Sequence, residues 1–142
     1  MQSDSAPLEN KIKVKADTAG LDEGRDFVVR LLTDLLANSE ITFALTTSYL
    51  EMFENIIRHG YAGAGGDVIV EVFGNEKTIG IAITDSAPPY KILDYRDVGQ
   101  AEMIKHGISG KMGIKTIMTL CDKVEYTRDG QTNKHILLKN RG

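Results

Sequence analysis

Two periodicities are superimposed between residues 45 and 61, and together they limit what the chain can fold into. Ile41, Leu45, Tyr49, Met52, Phe53, Ile56 and Ile57 recur three and four residues apart, the pattern of a helix with one buried face. Thr47, Glu51, Asn55 and His59 recur every four residues on a different stripe. Side chains at i and i+4 stack along a helix, so a carboxylate, a carboxamide and an imidazole form a column beside the packing face. One face packs, and the adjacent one is placed for chemistry.

The elements around this helix follow from local pattern. Residues 11–15 alternate lysine with Ile12 and Val14, a short edge strand whose charges discourage edge-to-edge association. Residues 21–37 have helical spacing, with Asp22 and Glu23 at the start where the helix dipole favours them. Ser39 is the expected N-cap of the central helix, and glycines at 63, 65 and 66 form a loose loop after it. Residues 67–74 and 78–84 are rich in β-branched side chains and predict a hairpin. The polar stretch over 91–109 is too long for an ordinary connection and reads as a lid. Gly107, Gly110 and Gly113 precede a helix expected over 114–120, and a last hairpin is expected from strands 123–128 and 135–139 around Asp129-Gly130. The sum is an α+β layer sandwich with a largely antiparallel sheet, one domain over 11–142 behind a flexible lead-in at 1–10.

Composition excludes several classes of function. The 142 residues are 42% hydrophobic and 26% charged, values of a folded globular chain long enough to bury a core. A net charge of −3 without a Lys/Arg stripe argues against nucleic-acid binding. No apolar run reaches the length of a membrane span, and the polar start lacks a signal sequence, so the expected location is cytoplasmic. The single cysteine, Cys121, rules out an internal disulfide framework and reads as a core residue in an apolar helical run. His106 and His135 read as surface residues, and no Cys/His spacing suits structural zinc.

Three polar places carry the chemistry. Glycines ending at a helix N-terminus can bind phosphate through unpaired backbone amides and the helix dipole. Asp85, at the end of a strand, can accept a hydrogen bond from an amino group such as that of adenine. Asn55 suits a Mg²⁺ ion shared with phosphates, and Glu51 one turn earlier can accept a proton from an attacking hydroxyl. Each also has a plainer origin: a solvated helix face, turn chemistry before two prolines, a loop hinge. The Gly110-Lys111 pair is not a P-loop, because Lys105 stands where the first glycine is required and Met112 replaces Ser or Thr. No nucleophile elbow supports a serine hydrolase.

The order of these motifs resembles a known family. Glu51, Asn55, His59-Gly60 and Tyr61 resemble the N box of the anti-sigma-factor serine kinases, within the superfamily of histidine kinase-like ATPases. Asp85-Ser86-Ala87-Pro88-Pro89-Tyr90 is similar to their first glycine box, and Gly110-Lys111-Met112-Gly113-Ile114 to the second. The resemblance runs from about residue 11 to 139. It implies the Bergerat ATP-binding fold, a two-layer α/β sandwich with helices on one face of a mixed, mostly antiparallel sheet. By position it implies Glu51 as general base, Asn55 as Mg²⁺ ligand, Asp85 as adenine reader and the amides around Gly110 and Gly113 as phosphate cradle. His59, Ala87, Pro89, Lys111 and Met112 belong to the same implied nucleotide shell. Two positions depart from the pattern. Ala87 stands where the first box has glycine, and Lys111 replaces a glycine of the second.

The activity implied by the resemblance is transfer of the γ-phosphoryl of ATP to a serine of a small anti-anti-sigma (STAS-type) partner. The setting is a bacterial partner-switching module in which a sigma factor competes for the kinase, commonly a homodimer. The alternative from a different class is a binding switch that keeps the fold and sequesters a sigma factor or regulator with little catalysis. A histidine-kinase ATPase domain fits less well, since such proteins need phosphoacceptor helices.

Overall fold

The computed structural model describes residues 10–88 and 109–142. The lead-in at 1–9, Pro89, His106 and all but the last residue of the stretch read as a lid lie outside them. The described elements run β1 (Lys11–Lys15), α1 (Thr18–Asp34), α2 (Ser39–Asn55), a π-helical turn (Ile56–Gly60), β2 (Asp67–Gly74), β3 (Thr78–Asp85), α3 (Ser109–Leu120), β4 (Lys123–Asp129) and β5 (Thr132–Asn140). The sheet has the order β1-β2-β3-β5-β4, and all four described pairings are antiparallel.

Cross-strand partners in an antiparallel sheet share a face, so the registers sort the inward residues into rows. One row is Val72, Ile81, Leu137 and Val124; the next is Ile12, Val70, Ile83, His135 and Tyr126; the last is Val14, Val68, Asp85, Asn133 and Arg128. The covered face is therefore apolar toward one end of the strands and polar toward the other. Val28 and Leu32 of α1, Leu45, Tyr49, Met52 and Phe53 of α2, and Ile114 and Ile117 of α3 join the apolar rows in one buried cluster. α1 lies over β1 and β2, α2 over β3 and β5, and α3 rests on α2. The three described helices, on one face of an open antiparallel sheet, make an α+β sandwich.

Helix boundaries differ from the sequence expectation where caps decide them. Asp17 accepts a 2.8 Å bond from the Gly20 amide and starts α1 at Thr18 rather than at 21. The helix stops at Asp34 because Leu36 takes a left-handed conformation, φ 61°. Gly20 must lack a side chain, since a Cβ there would fall on the Lys15 carbonyl. Asn38, not Ser39, caps α2 through a 2.8 Å bond from the Ile41 amide. The central helix proper ends at Asn55, earlier than expected, and the π turn carries the chain on, closed by Tyr61 N to Ile56 O at 2.9 Å.

Two further expectations are corrected. His135 is fully buried, because its position on β5 puts it in the inward row between Ile83 and Tyr126. Cys121 lies just beyond α3 rather than within it, buried as expected, with Sγ donating to Ser48 Oγ at 3.3 Å.

Candidate functional site

The polar column of α2 does not run the full length expected. Glu51 is half-buried, Asn55 is only 3% exposed, and His59 is exposed. A π turn takes one more residue than an α turn, so the fourth residue after Asn55 no longer lies above it. Asn55 therefore closes the column. Its Nδ2 has no hydrogen-bond partner among the described residues, an expensive state for a buried amide unless something else occupies it.

Glu51 faces α3. A Cβ built on Gly113 would collide with Glu51 Oε1 and lie 3.3 Å from its Cδ, so the missing side chain makes room for the carboxylate. The expectation of glycines in a loop ahead of a helix at 114 needs correction, since α3 begins at Ser109. Gly110 and Lys111 fall in its first turn, where amides have no partner within the helix, and Met112 follows them. Gly113 is past that turn, and its amide is used by the helix. The first turn of α3, rather than Gly113 itself, therefore has the amides left free by the helix.

Asp85 ends β3 at 1% exposure and is the centre of a hydrogen-bonded cluster. Its Oδ1 accepts from Asn133 Nδ2 at 2.8 Å and from the Ala87 amide at 3.0 Å. Asn133 Oδ1 in turn accepts from Arg128 Nη1 and from the Tyr126 hydroxyl, both at 2.7 Å. The Ala87 carbonyl accepts from Arg128 Nη1 and Asn133 Nδ2, each at 3.2 Å. Ala87, which stands where the resemblance has glycine, does not hold a left-handed conformation, so its methyl group causes no backbone strain. Burial pushes the His135 imidazole down to about 4, leaving it neutral near pH 7. Its 3.8 Å approach to Asp85 Oδ2 is then a contact with a neutral ring rather than an ion pair.

Tyr61 joins the end of the π turn to this cluster. Its hydroxyl donates to the Asp67 carbonyl at 2.7 Å and accepts from the Ser86 amide at 2.8 Å. Burial raises the phenol's pKa, which keeps the proton needed for the donated bond. The α2 column is thus held to α3 on one side and to the Asp85 turn on the other. Asn133, Arg128, Tyr126 and His135 were not among the expected site residues. Only inward parity with Leu137 and Val124 could have pointed to them.

The residues present fit a nucleotide, whose phosphate would give the buried Asn55 Nδ2 an acceptor. Among the described residues no group of three His, Cys, Asp or Glu could hold a metal by itself. A divalent ion at Asn55 would have to share its coordination with phosphate, as Mg²⁺ commonly does. Asn55 Nδ2, without a partner among the described residues, would be free to donate to a phosphate oxygen or a bound water. Among the described residues no helix is long and apolar enough to cross a membrane.

The fold has a counterpart among solved structures, and the sequence matches a known family. The chain is similar in fold to a chain of the crystal structure of the SiaB–SiaC complex from Pseudomonas aeruginosa, with a TM-score of 0.62 at 12% identity, covering 95% of this chain and 93% of that one. No curated protein matches. The family model of the histidine kinase-like ATPase domain matches residues 14–139, nearly the whole chain. The protein belongs to the histidine kinase-like ATPase domain family.

Proposed function

We infer that the protein binds ATP with Mg²⁺ and transfers the γ-phosphoryl group to a serine on a small STAS-type anti-anti-sigma partner. The observation that carries this reading is the pairing in α2: Glu51, seated in the gap left by Gly113, stands one turn before a buried Asn55 whose amide lacks a partner among the described residues. The partner's serine hydroxyl gives its proton to Glu51 as its oxygen attacks the γ-phosphorus, and the bond from that phosphorus to the ADP oxygen breaks. Bound Mg²⁺ would supply neutralisation of phosphate charge. Asn55 would hold that ion beside the phosphates, the first turn of α3 offers its amides to the anion, and Asp85 accepts from the 6-amino group of the base. The neighbour in fold was crystallised as one half of a two-protein complex, which supports a protein as the acceptor.

The test uses the full chain and a purified small STAS-type protein as candidate acceptor. Wild-type protein should show a Mg²⁺-dependent thermal shift with ATP and phosphorylate the partner. Glu51→Ala should keep the shift and lose about 10²- to 10⁴-fold in phosphorylation rate. A thermal shift without phosphorylation by the wild type would leave a nucleotide-dependent binding switch in its place, and no shift at millimolar ATP would remove the nucleotide reading.

A further inference from the structure

Asp85, Asn133 and Arg128 are direct cross-strand partners, one row across β3, β5 and β4. Their hydrogen bonds run in one direction. Arg128 Nη1 and the Tyr126 hydroxyl both donate to Asn133 Oδ1, and Asn133 Nδ2 donates to Asp85 Oδ1. A carboxamide has two ends of opposite character, and in principle either can face the carboxylate. With the guanidinium in place only one orientation survives, because turning the amide over would set its NH₂ against a cation and its oxygen against the carboxylate. Arg128 thereby decides which end of Asn133 meets Asp85 without touching Asp85 in any bond described. The same Nη1 reaches the Ala87 carbonyl at 3.2 Å, and the Ala87 amide closes on Asp85 Oδ1 at 3.0 Å. Oδ1 is therefore fixed by two donors, both of which trace back to Arg128. That fixes the plane of the carboxylate.

We propose that Arg128 and Asn133 are positioning residues for nucleobase selection, a clasp that aims the Asp85 carboxylate at a 6-amino purine and so disfavours a 6-oxo one. The inference rests on the reading of Asp85 as the base acceptor. A purine with an exocyclic amino group donates to the aimed carboxylate, whereas a 6-oxo purine brings a second acceptor against it. Arg128 is half-buried and projects from the outermost strand, so it can be changed with less damage than Asn133, which is fully buried.

The experiment is calorimetric titration of the full chain with the Mg²⁺ complexes of ATP and ITP, which differ at the 6-position. Wild type should prefer ATP by about tenfold or more. Arg128→Met should bring the ratio toward one by weakening ATP while ITP changes little, and Arg128→Lys should recover part of the preference. A role limited to folding would weaken both nucleotides together and leave the ratio unchanged, which overturns the clasp. If Arg128→Met loses its circular dichroism spectrum, Arg128→Leu, which also lacks a donor, takes its place in the comparison. Asp85→Asn separates the two readings. If wild type shows no preference, or Asp85→Asn keeps it, the base-acceptor reading fails and the clasp with it. If Asp85→Asn abolishes the preference and the donor-less Arg128 variant retains it, the clasp alone fails.

Discussion

The carboxylate of Glu51 in α2 occupies the space that a side chain on Gly113 in α3 would fill. Glycine inside a helix is unfavourable by about 0.5–1 kcal/mol relative to alanine, so its presence in the second turn of α3 calls for a compensating contact. The contact is with the tip of a flexible side chain that can swing aside. Gly113→Ala should therefore leave the thermal midpoint unchanged or slightly raised while displacing the proposed base. A shift of about 1 Å in a reacting group can reduce turnover roughly 10²-fold. Parallel melting curves and phosphorylation assays check this, and full activity in the alanine variant would remove Glu51 from its role.

The same substitution at Gly20 should act in the opposite direction. The atom that a new Cβ would meet there is the backbone carbonyl of Lys15, anchored where β1 turns into α1, and it cannot move aside. Gly20→Ala is expected to lower stability by about 1–3 kcal/mol, the usual range for overpacking. Urea denaturation should show a lower midpoint, with the nucleotide affinity of the folded protein unaltered.

Asn55 offers a separation of stability from binding. Its buried Nδ2 lacks a partner among the described residues, so replacing the amide by a hydrocarbon of similar size removes an uncompensated polar group. Asn55→Leu should stabilise the nucleotide-free protein by roughly 1 kcal/mol and abolish its Mg²⁺-dependent thermal shift with ATP. A variant that is less stable without ligand, or that still responds to the metal, would contradict the assignment.

His135 predicts an acid sensitivity. The folded protein holds the imidazole near 4, against an ordinary value of 6.5. Above pH 6.5 the ring is neutral in both states and contributes no pH dependence. Between 6.5 and about 4 the unfolded chain takes up a proton that the folded chain refuses, so stability falls as pH falls through that window. The loss amounts to a few kcal/mol across that window. Urea midpoints of wild type and His135→Gln measured from pH 4 to 7 should diverge in slope, the variant being flatter over this interval.

Much of this architecture is legible in the sequence, and what is hidden has physical reasons. The β2-β3 hairpin shows in its β-branched runs, and the apolar stripe of α2 gives its buried face directly. The spacing of Glu51 and Asn55 carries over because both fall before the π turn. His59 falls within it, and nothing local in Ile56-Ile57-Arg58-His59-Gly60 announces a wider turn. On β5, Ile136, Leu137 and Leu138 are consecutive apolar residues, so alternation alone does not say which parity faces inward. Pairing with β3 settles it, putting Leu137, His135 and Asn133 under the helices. The Asp85–Asn133–Arg128 row is a product of register between strands far apart in the chain. No spacing rule within one segment could reveal it.

Because Ile56–Gly60 contains a residue beyond what a regular turn would use, that stretch sets the rotational phase of everything after it. Deleting any one of those five residues would restore an ordinary pitch and rotate the following chain by about 100° around the axis. Tyr61 would then swing away from both the Asp67 carbonyl and the Ser86 amide, and the Asp85 turn would lose its link to α2. The glycine loop directly beyond can absorb an inserted residue at small entropic cost. Shortening by one is thus harmful on one side of Tyr61, while lengthening by one is tolerated on the other.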